Sequence, residues 1–222
     1  MATTRTPGSV ARTSRARRVT RFSGTERLAH WLLAVTFFVM LGSGLALYLP
    51  DLAGVIDRPT AKAWHIWSAL ALPIGLALLA LLGNRASLAR SAAEFDRFDG
   101  DDLRFLSPAR IATRTPAPPQ GRYNGGQKLN SVLTAALLGV LFVTGGLLWL
   151  GERAHGFRFD GTVIVHDWSM FVLIILVAGH LYMAVINPAT RHSLRGITTG
   201  EVDREWANKH HAKWMAEEPD EG

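Results

Sequence analysis

The segment VIVHDWSMFVLIILVAGHLYMAVI occupies Val163–Ile186 and is long and apolar enough to cross a bilayer as an α-helix. It contains two histidines, His166 and His180, which lie fourteen residues apart. At about 3.6 residues per turn this separation is close to four turns, so both rings point toward nearly the same face, about 21 Å apart along the axis. A polar imidazole within hydrocarbon is costly, and its presence indicates a functional site.

The composition of the chain suits alternating membrane-spanning and basic segments better than one soluble domain. Of its 222 residues 48% are hydrophobic, yet the net charge is +6. The basic residues flank long apolar runs and are not interleaved with aromatic residues on a soluble scaffold, so no nucleic-acid partner is expected. The chain contains no cysteine, which excludes disulfides, iron–sulfur clusters held by this chain, thiolate metal sites and covalently attached c-type haem.

Three further segments reach the roughly 20 residues that a membrane-spanning helix needs. The four predicted spans are Ala29–Leu49, Ala63–Leu82, Asn130–Leu150 and Val163–Ile186. They predict an all-α membrane protein, a four-transmembrane-helix bundle. We divide the chain into a basic N-terminal arm (1–24), the transmembrane domain (25–190) and a C-terminal tail (191–222) whose packing the sequence leaves open. No internal repeat is evident from the sequence alone.

The distribution of lysine and arginine predicts how the bundle is oriented. Seven of these residues precede or touch the first span, eight lie between Arg85 and Lys128, and five follow the fourth span. The two remaining loops together hold four. Because positive residues are enriched on the cytoplasmic side, we expect both termini and the long middle loop in the cytoplasm. The four spans are then expected to be in contact with lipid.

Four of the eight histidines lie inside the predicted spans, at two depths. Since successive spans run in opposite directions, His30 and His180 lie near the inner side, whereas His65 and His166 lie near the outer side. Two imidazoles at one depth on facing helices are the axial ligands that a haem iron takes in a helical bundle. The pattern therefore predicts two b-type haems in the bundle core, with His30 and His180 on the inner iron and His65 and His166 on the outer iron.

Other roles for these residues remain open. An isolated histidine near a helix end is more often interfacial or hydrogen-bonded than a ligand. A zinc or copper site would need its ligands close together, which the separation of about 21 Å between His166 and His180 prevents. The histidines outside the spans are not expected to be ligands: His155, His192, His210 and His211. Glycines along the first three spans leave room either for flat porphyrins or for helix–helix packing: Gly42, Gly44, Gly75, Gly139, Gly145 and Gly146.

Five motifs distributed over the chain carry a family resemblance. They are ERLAHW (26–31), WHIW (64–67), GRYNGGQKLN (121–130), HDW (166–168) and GHLYMAVINPATRHSLRGITTGEVDREWANKHHAKWMAEE (179–218). With the four histidines so placed, residues 21–217 resemble the gamma subunit of membrane-bound formate dehydrogenase, which is a dihaem cytochrome b.

The resemblance implies a place in a larger complex. In this family a periplasmic alpha subunit that contains molybdenum or tungsten oxidises formate, and an iron–sulfur beta subunit passes electrons to the outer haem of the gamma subunit. The electrons then reach the inner haem and reduce a quinone, menaquinone or ubiquinone, near the cytoplasmic face. The chain is thus expected to act as the electron-transfer and quinone-reducing subunit of a formate:quinone oxidoreductase, not catalytic alone. A higher oligomer of the complex is compatible with this role.

The resemblance also implies a quinone pocket beside the inner haem. In the family this pocket uses the segment YNxGQK, which here gives Asn124, Gly126 and Gln127, together with His180. Amide side chains can bond a quinone carbonyl without adding a charge. A structural role is open for the same segment, since Asn124 is also a favourable N-cap residue for the third span.

Two other functions remain open from the sequence. The first keeps the haems and changes the partner: the cytochrome b subunit of a nickel–iron hydrogenase or of a thiosulfate reductase. The second is a haem-free membrane anchor or small transporter, in which the intramembrane histidines relay protons.

Overall fold

The structure, a computed structural model, describes residues 17–157 and 159–218, and the described chain is mostly helical (77%). It divides into two compact units. One unit is Phe22–Ser91, and the other joins residues 17–21 to the described part of 92–218. The basic arm predicted for residues 1–24 falls mostly outside the described residues.

The unit Phe22–Ser91 is a hairpin of two long helices followed by the start of a third helix. Its elements are α1 (Gly24–Tyr48), a 3-10 turn (Pro50–Gly54), α2 (Arg58–Leu82) and α3 (Arg85–Phe95). Helix α1 begins with a capping box, in which the Ser23 hydroxyl accepts from the Glu26 amide and the Glu26 carboxylate accepts from the Ser23 amide. Asp57 caps α2 by accepting a hydrogen bond from the Thr60 amide.

The second unit contains a short sheet, a second long hairpin and several short helices. Its elements are β1 (Arg18–Thr20), α4 (Gly100–Leu106), α5 (Pro108–Thr113), α6 (Gly125–Gly151), a 3-10 turn (His155–Phe157), α7 (Thr162–Leu181), a π-helical turn (Tyr182–Ile186), a 3-10 turn (Arg191–Ser193), α8 (Leu194–Thr199), β2 (Glu201–Asp203), α9 (Arg204–His210) and α10 (Ala212–Glu217). Strands β1 and β2 pair antiparallel, with Val19 opposite Val202.

Helix α7, which carries two of the candidate histidines, has distinct start and stop signals. Gly161 precedes it with φ of 83°, a left-handed conformation that glycine adopts without strain. The helix continues into the π-helical turn, where the Asn187 amide donates to the Tyr182 carbonyl over 2.9 Å. Pro188 has no amide hydrogen to continue the helix, so the chain leaves the helical path there.

Four helices within the described residues are long and apolar enough to cross a membrane, which confirms the four predicted spans. They are Gly24–Tyr48, Arg58–Leu82, Gly125–Gly151 and Thr162–Ile186. The first three begin five residues before the predicted spans because their first turns are polar and were not counted as hydrocarbon-spanning. Large apolar side chains on these helices point outward, for example Leu82 (84% exposed) and Ile175 (71% exposed), as lipid-facing residues do.

The C-terminal tail, whose packing the sequence left open, folds back within its own unit. Val202, Ala207, Trp214 and Met215 form a small buried core, against which Val19 of β1 packs. The Lys213 amide donates to the Gln120 carbonyl over 3.0 Å, so the tail also contacts the segment that leads into α6. The tail therefore supports the N-terminus of α6.

Candidate functional site

The four candidate histidines lie near the ends of the long helices. His30 and His65 lie in the early turns of α1 and α2, within Phe22–Ser91. His166 and His180 lie near the two ends of α7, in the other unit. The ring of His180 is exposed, and the rings of the other three are half-buried. Because each predicted pair has one member in each unit, the pairing stays a prediction.

His65 has a defined hydrogen-bonding state. Its Nδ1 lies 3.0 Å from the Met40 carbonyl oxygen and 3.3 Å from the Ser43 hydroxyl oxygen. A carbonyl oxygen only accepts, and the single hydroxyl hydrogen of Ser43 is donated to the Val39 carbonyl over 2.6 Å. Nδ1 must therefore carry the hydrogen, and Nε2 is left with the lone pair that binds a metal.

His166 contacts a hydroxyl residue of the preceding helix in a similar way. Its Nδ1 lies 2.8 Å from the Thr144 hydroxyl oxygen. That hydroxyl also lies 2.7 Å from the Val140 carbonyl oxygen, and when it donates its hydrogen there it accepts from the imidazole. In that arrangement His166 has the same tautomer as His65, with the hydrogen on Nδ1 and the lone pair on Nε2.

The glycines of the long helices differ in what a side chain at their positions would contact. A β-carbon at Gly44 would lie 3.2 Å from Cε1 of His65, and one at Gly145 would lie 3.3 Å from Cε1 of His166. At Gly75 it would lie 2.6 Å from Leu32, which is helix–helix packing within the first hairpin. A β-carbon at Gly42, Gly139 or Gly146 would meet no atom within 4 Å.

The residues of the predicted quinone pocket come together at the N-terminus of α6. The Asn124 side-chain oxygen accepts from the Gln127 amide (2.9 Å), and the Gln127 side-chain oxygen accepts from the Asn124 amide (3.1 Å). The capping role left open for Asn124 is therefore confirmed. The Gln127 oxygen also accepts from Arg21, so both of its lone pairs are used and the side chain still offers N–H donors to a ligand, as the Asn124 amide nitrogen does. A β-carbon at Gly126 would lie 3.3 Å from the Asn124 oxygen, so glycine leaves the Asn124 side chain accessible at the N-terminus of α6.

Arg21 contacts the residues at the N-terminus of α6 and was not among the predicted site residues. It is buried (3% exposed), and its Nη2 donates to the Arg122 carbonyl over 2.6 Å and to the Gln127 side-chain oxygen over 3.2 Å. Burial lowers the pKa of Arg21 to about 10, so the side chain stays charged at neutral pH. A signal for it exists in the sequence, since RFSGTE (21–26) resembles RYNGGQ (122–127).

Three of the histidines that were not predicted to be ligands gather around Trp206 in the tail. The ring of Trp206 lies 5.4 Å from His192, 5.1 Å from His210 and 5.2 Å from His211, centroid to centroid. Within residues 17–157 and 159–218, no three histidine, aspartate or glutamate side chains are grouped so as to hold a metal ion by themselves. A porphyrin iron needs no such group, because the macrocycle supplies four of its six ligands.

The donor set of the long helices fits a b-type haem. His65 keeps its hydrogen on Nδ1 and therefore has the Nε2 lone pair that an iron takes, His166 contacts a hydroxyl through Nδ1, and each ring lies beside a glycine of the preceding helix. Apolar membrane-spanning helices that carry such histidines define a membrane cytochrome b as the class of protein. The chain belongs to the prokaryotic cytochrome b561 family, whose model matches residues 21–200. It is therefore a multi-pass membrane protein, and its family implies haem b.

Several proteins similar to this chain are cytochrome b subunits of one kind of enzyme complex. The chain is 28% identical over 211 residues to the cytochrome b556 subunit of formate dehydrogenase from Haemophilus influenzae, which covers 90% of this chain and 84% of the relative. It is 24% identical to the cytochrome b556(Fdn) subunit of the nitrate-inducible formate dehydrogenase of Escherichia coli K12, over 92% of this chain and 93% of the relative. The cytochrome b556(fdo) subunit of the same organism is 25% identical over 90% and 92% of the two chains. The family resemblance drawn from the motifs is confirmed.

Proposed function

We propose that this protein is the dihaem cytochrome b subunit of a formate dehydrogenase complex in a bacterial inner membrane. It takes electrons from an iron–sulfur beta subunit, whose partner is a molybdenum- or tungsten-containing alpha subunit. Electrons cross the membrane from the outer to the inner haem and reduce menaquinone or ubiquinone at the cytoplasmic side. The relatives described above are subunits of formate dehydrogenases, which favours this partner.

The state of the outer histidines is the observation that carries this proposal. A neutral imidazole with hydrogen on Nδ1 and a lone pair on Nε2 is a ready iron ligand; the Met40 carbonyl holds His65 in that state, and the Thr144 hydroxyl lies where it can hold His166 in the same state. By depth, these two residues hold the outer haem, and His30 with His180 holds the inner one. When bound, the two haems supply one-electron carriers that the amino-acid side chains do not provide.

The orientation follows from charge and makes the reaction electrogenic. Positive residues concentrate on the side of both termini, which favours a cytoplasmic location for that side. Fourteen residues of helix separate His166 from His180, so electrons travel about 21 Å across the membrane. The quinone takes its protons from the cytoplasm while formate oxidation releases protons outside, and the complex thereby contributes to the proton-motive force.

The N-terminus of α6 is the proposed quinone site, with His180 facing the quinone. The amide N–H groups of Asn124 and Gln127 match the carbonyl oxygens of a quinone, which only accept hydrogen bonds. Arg21 holds the oxygen of Gln127 and so turns the donor end of that amide away from the guanidinium. Gly126 keeps the approach to the Asn124 side chain open.

The alternatives differ in what they predict for the purified protein. Membership of a cytochrome b family favours the haem protein over a haem-free anchor or transporter. A cytochrome b subunit of a hydrogenase or a thiosulfate reductase keeps the haems and has a different partner, so the identity of the partner distinguishes it.

The test is purification of the native complex through an affinity tag on this chain. We expect a b-type α band in the reduced-minus-oxidised spectrum, two haems per chain, and formate-dependent reduction of a quinone. Folded complex without a b-type band would overturn the cytochrome function. Oxidation of hydrogen, or reduction of thiosulfate, in place of formate oxidation would assign the chain to the alternative complex.

Paired histidine substitutions test the assignment of the ligands. His65→Ala and His166→Ala should each remove the same haem and leave the other spectrum intact, and His30→Ala with His180→Ala should do the reverse. His210→Ala, in the tail, serves as the control and should retain both haems. Loss of different haems in His65→Ala and His166→Ala would overturn the pairing.

A further inference from the structure

The two long hairpins share one arrangement around His65 and His166. In each hairpin a hydroxyl residue lies 22 positions before the histidine and contacts its Nδ1: Ser43 for His65 and Thr144 for His166. A glycine directly follows each hydroxyl residue and borders the imidazole ring. Each residue of this trio in the second hairpin lies 101 positions after its counterpart in the first. The trio of hydroxyl, glycine and histidine thus occurs twice in one chain.

The same offset relates other parts of the hairpins. Arg21 and Arg122 each donate from the guanidinium to the backbone carbonyl of the other, over 2.6 and 3.3 Å. Further pairs at this offset are Ser23 with Asn124, Trp67 with Trp168 and Ser68 with Ser169. The internal repeat, which was not evident from the sequence alone, becomes visible when the hairpins are aligned on these histidines.

The repeat includes the two predicted outer ligands and leaves out the two inner ones. His30 corresponds to Ser131, and His180 corresponds to Leu79. A duplicated hairpin is free to change residues that only face lipid. Recurrence of the hydroxyl, glycine and histidine together therefore indicates a requirement that both hairpins share, namely one that concerns the outer ligands.

We propose that Ser43 and Thr144 are positioning residues that orient the outer haem ligands and set the reduction potential of that haem, an inference that rests on the proposed function. An acceptor on Nδ1–H keeps the ring in the tautomer that presents Nε2 and makes the imidazole a more basic ligand. A more basic ligand favours the oxidised iron and lowers the potential. Gly44 and Gly145 allow each ring to reach its acceptor, since a β-carbon there would lie within 3.3 Å of the ring.

The two hydroxyl groups do not contribute equally. The Nδ1 of His166 lies 2.8 Å from the Thr144 hydroxyl, whereas the Nδ1 of His65 lies closer to the Met40 carbonyl (3.0 Å) than to the Ser43 hydroxyl (3.3 Å). Removal of the Thr144 hydroxyl therefore affects its histidine more than removal of the Ser43 hydroxyl affects His65. The backbone acceptor of His65 cannot be removed by substitution of a side chain.

The test is a redox titration of the complex that contains Thr144→Val, which preserves the shape of the side chain and removes the acceptor. We expect the midpoint potential of one haem to shift in the positive direction and that of the other to stay unchanged. Thr144→Ser should restore the native value, because it returns the hydroxyl. Ser43→Ala should shift the same haem in the same direction by a smaller amount.

Steric positioning is tested separately by Gly145→Ala, which should lower the occupancy of that same haem. Gly24→Ala, at the start of α1 and outside the predicted spans, has no atom within 4 Å of the added carbon and is the matched control. If Thr144→Val loses the haem and Thr144→Ser keeps it, the hydroxyl is required and the inference stands. If both potentials in Thr144→Val equal those of the native complex, the positioning role is wrong, while a haem loss in His166→Ala would still support the proposed function.

Discussion

The guanidinium of Arg21 donates a hydrogen bond to the side-chain oxygen of Gln127, with 3.2 Å between Nη2 and Oε1. The two residues lie 106 positions apart in the chain. The same Nη2 contacts the Arg122 carbonyl at 2.6 Å, so the buried cation is held beside the N-terminus of α6. An arginine that orients an amide in this way selects which end of that amide a ligand meets.

Arg21→Lys should weaken quinone reduction and leave the haems intact. Both hydrogen bonds come from Nη2 at the far end of the guanidinium, which the shorter lysine side chain does not reach, so the Gln127 amide loses its fixed orientation. We expect KM for a soluble quinone analogue to rise several-fold, with unchanged haem content and unchanged reduced-minus-oxidised spectra. Arg18→Lys is the control, because Arg18 forms an exposed pair with Glu201 at 3.6 Å. An equal rise of KM in both variants would contradict the orienting role.

Breaking the pair Lys128–Asp102 by removing one partner should strongly destabilise the second unit. Nζ of Lys128 lies 2.6 Å from Asp102 Oδ2 and 2.8 Å from the Arg97 carbonyl, and both charged residues are buried. Asp102→Ala leaves a buried cation without its partner, which costs about 3–5 kcal/mol of unfolding free energy. Thermal unfolding in detergent measures the loss.

Two further variants distinguish the effect of an unpaired buried charge from the effect of losing a surface ion pair. The double variant Lys128→Met with Asp102→Leu should recover much of the stability, because no buried charge is then left unpaired. Arg104→Gln removes an exposed partner of Asp101 and should cost less than about 1 kcal/mol. A double variant as unstable as Asp102→Ala would show that the loss does not come from the unpaired lysine.

Gly125→Ala should destabilise the contact between α4 and the N-terminus of α6. The added β-carbon would lie 2.7 Å from the backbone oxygen of Asp102, which cannot move independently of its helix. Such overpacking costs about 1–3 kcal/mol. Gly139→Ala, which meets no atom within 4 Å, should be neutral or slightly stabilising because alanine favours helix. Equal melting temperatures for the two variants would contradict the close contact.

The docking of the tail should weaken as the pH falls below about 6.5. Burial, and secondarily the charge of Arg21, lowers the pKa of His211 to about 3, while its hydrogen bond to the Gly121 carbonyl opposes the shift. His210 adds a smaller effect in the same direction. Since the released tail binds a proton that the docked tail does not, stability is retained above the unfolded pKa and falls by about 1.4 kcal/mol per unit between pH 6.5 and 3.

Hydrogen exchange of the backbone amides in 204–217, corrected for intrinsic rates, measures this loss. His211→Asn keeps an N–H donor near the position of Nδ1 and removes the titration, so its protection should change less between pH 7 and pH 5. The same pH dependence in His211→Asn and in the native chain would exclude His211 as its source.

The histidines illustrate how far the sequence alone reaches. Their positions and relative depths follow from helix geometry and the thickness of a bilayer, because every residue of a membrane-spanning helix adds the same rise. The residues that hold their Nδ1 atoms were not predicted. Ser43 and Thr144 are ordinary small residues of apolar helices, and their role depends on which faces of two adjacent helices meet.

The sequence by itself determined the four apolar helices, the family and the histidines on them, since hydropathy and local motifs are properties of short segments. Only the tertiary structure decided that Arg21 orients Gln127, that residues 18–20 pair with 201–203, and that the tail supports α6. These contacts join segments far apart in the chain, and their stability comes from burial and hydrogen bonds that exist only once the segments have met. The periodicity of apolar residues in one segment does not indicate which distant segment it will contact.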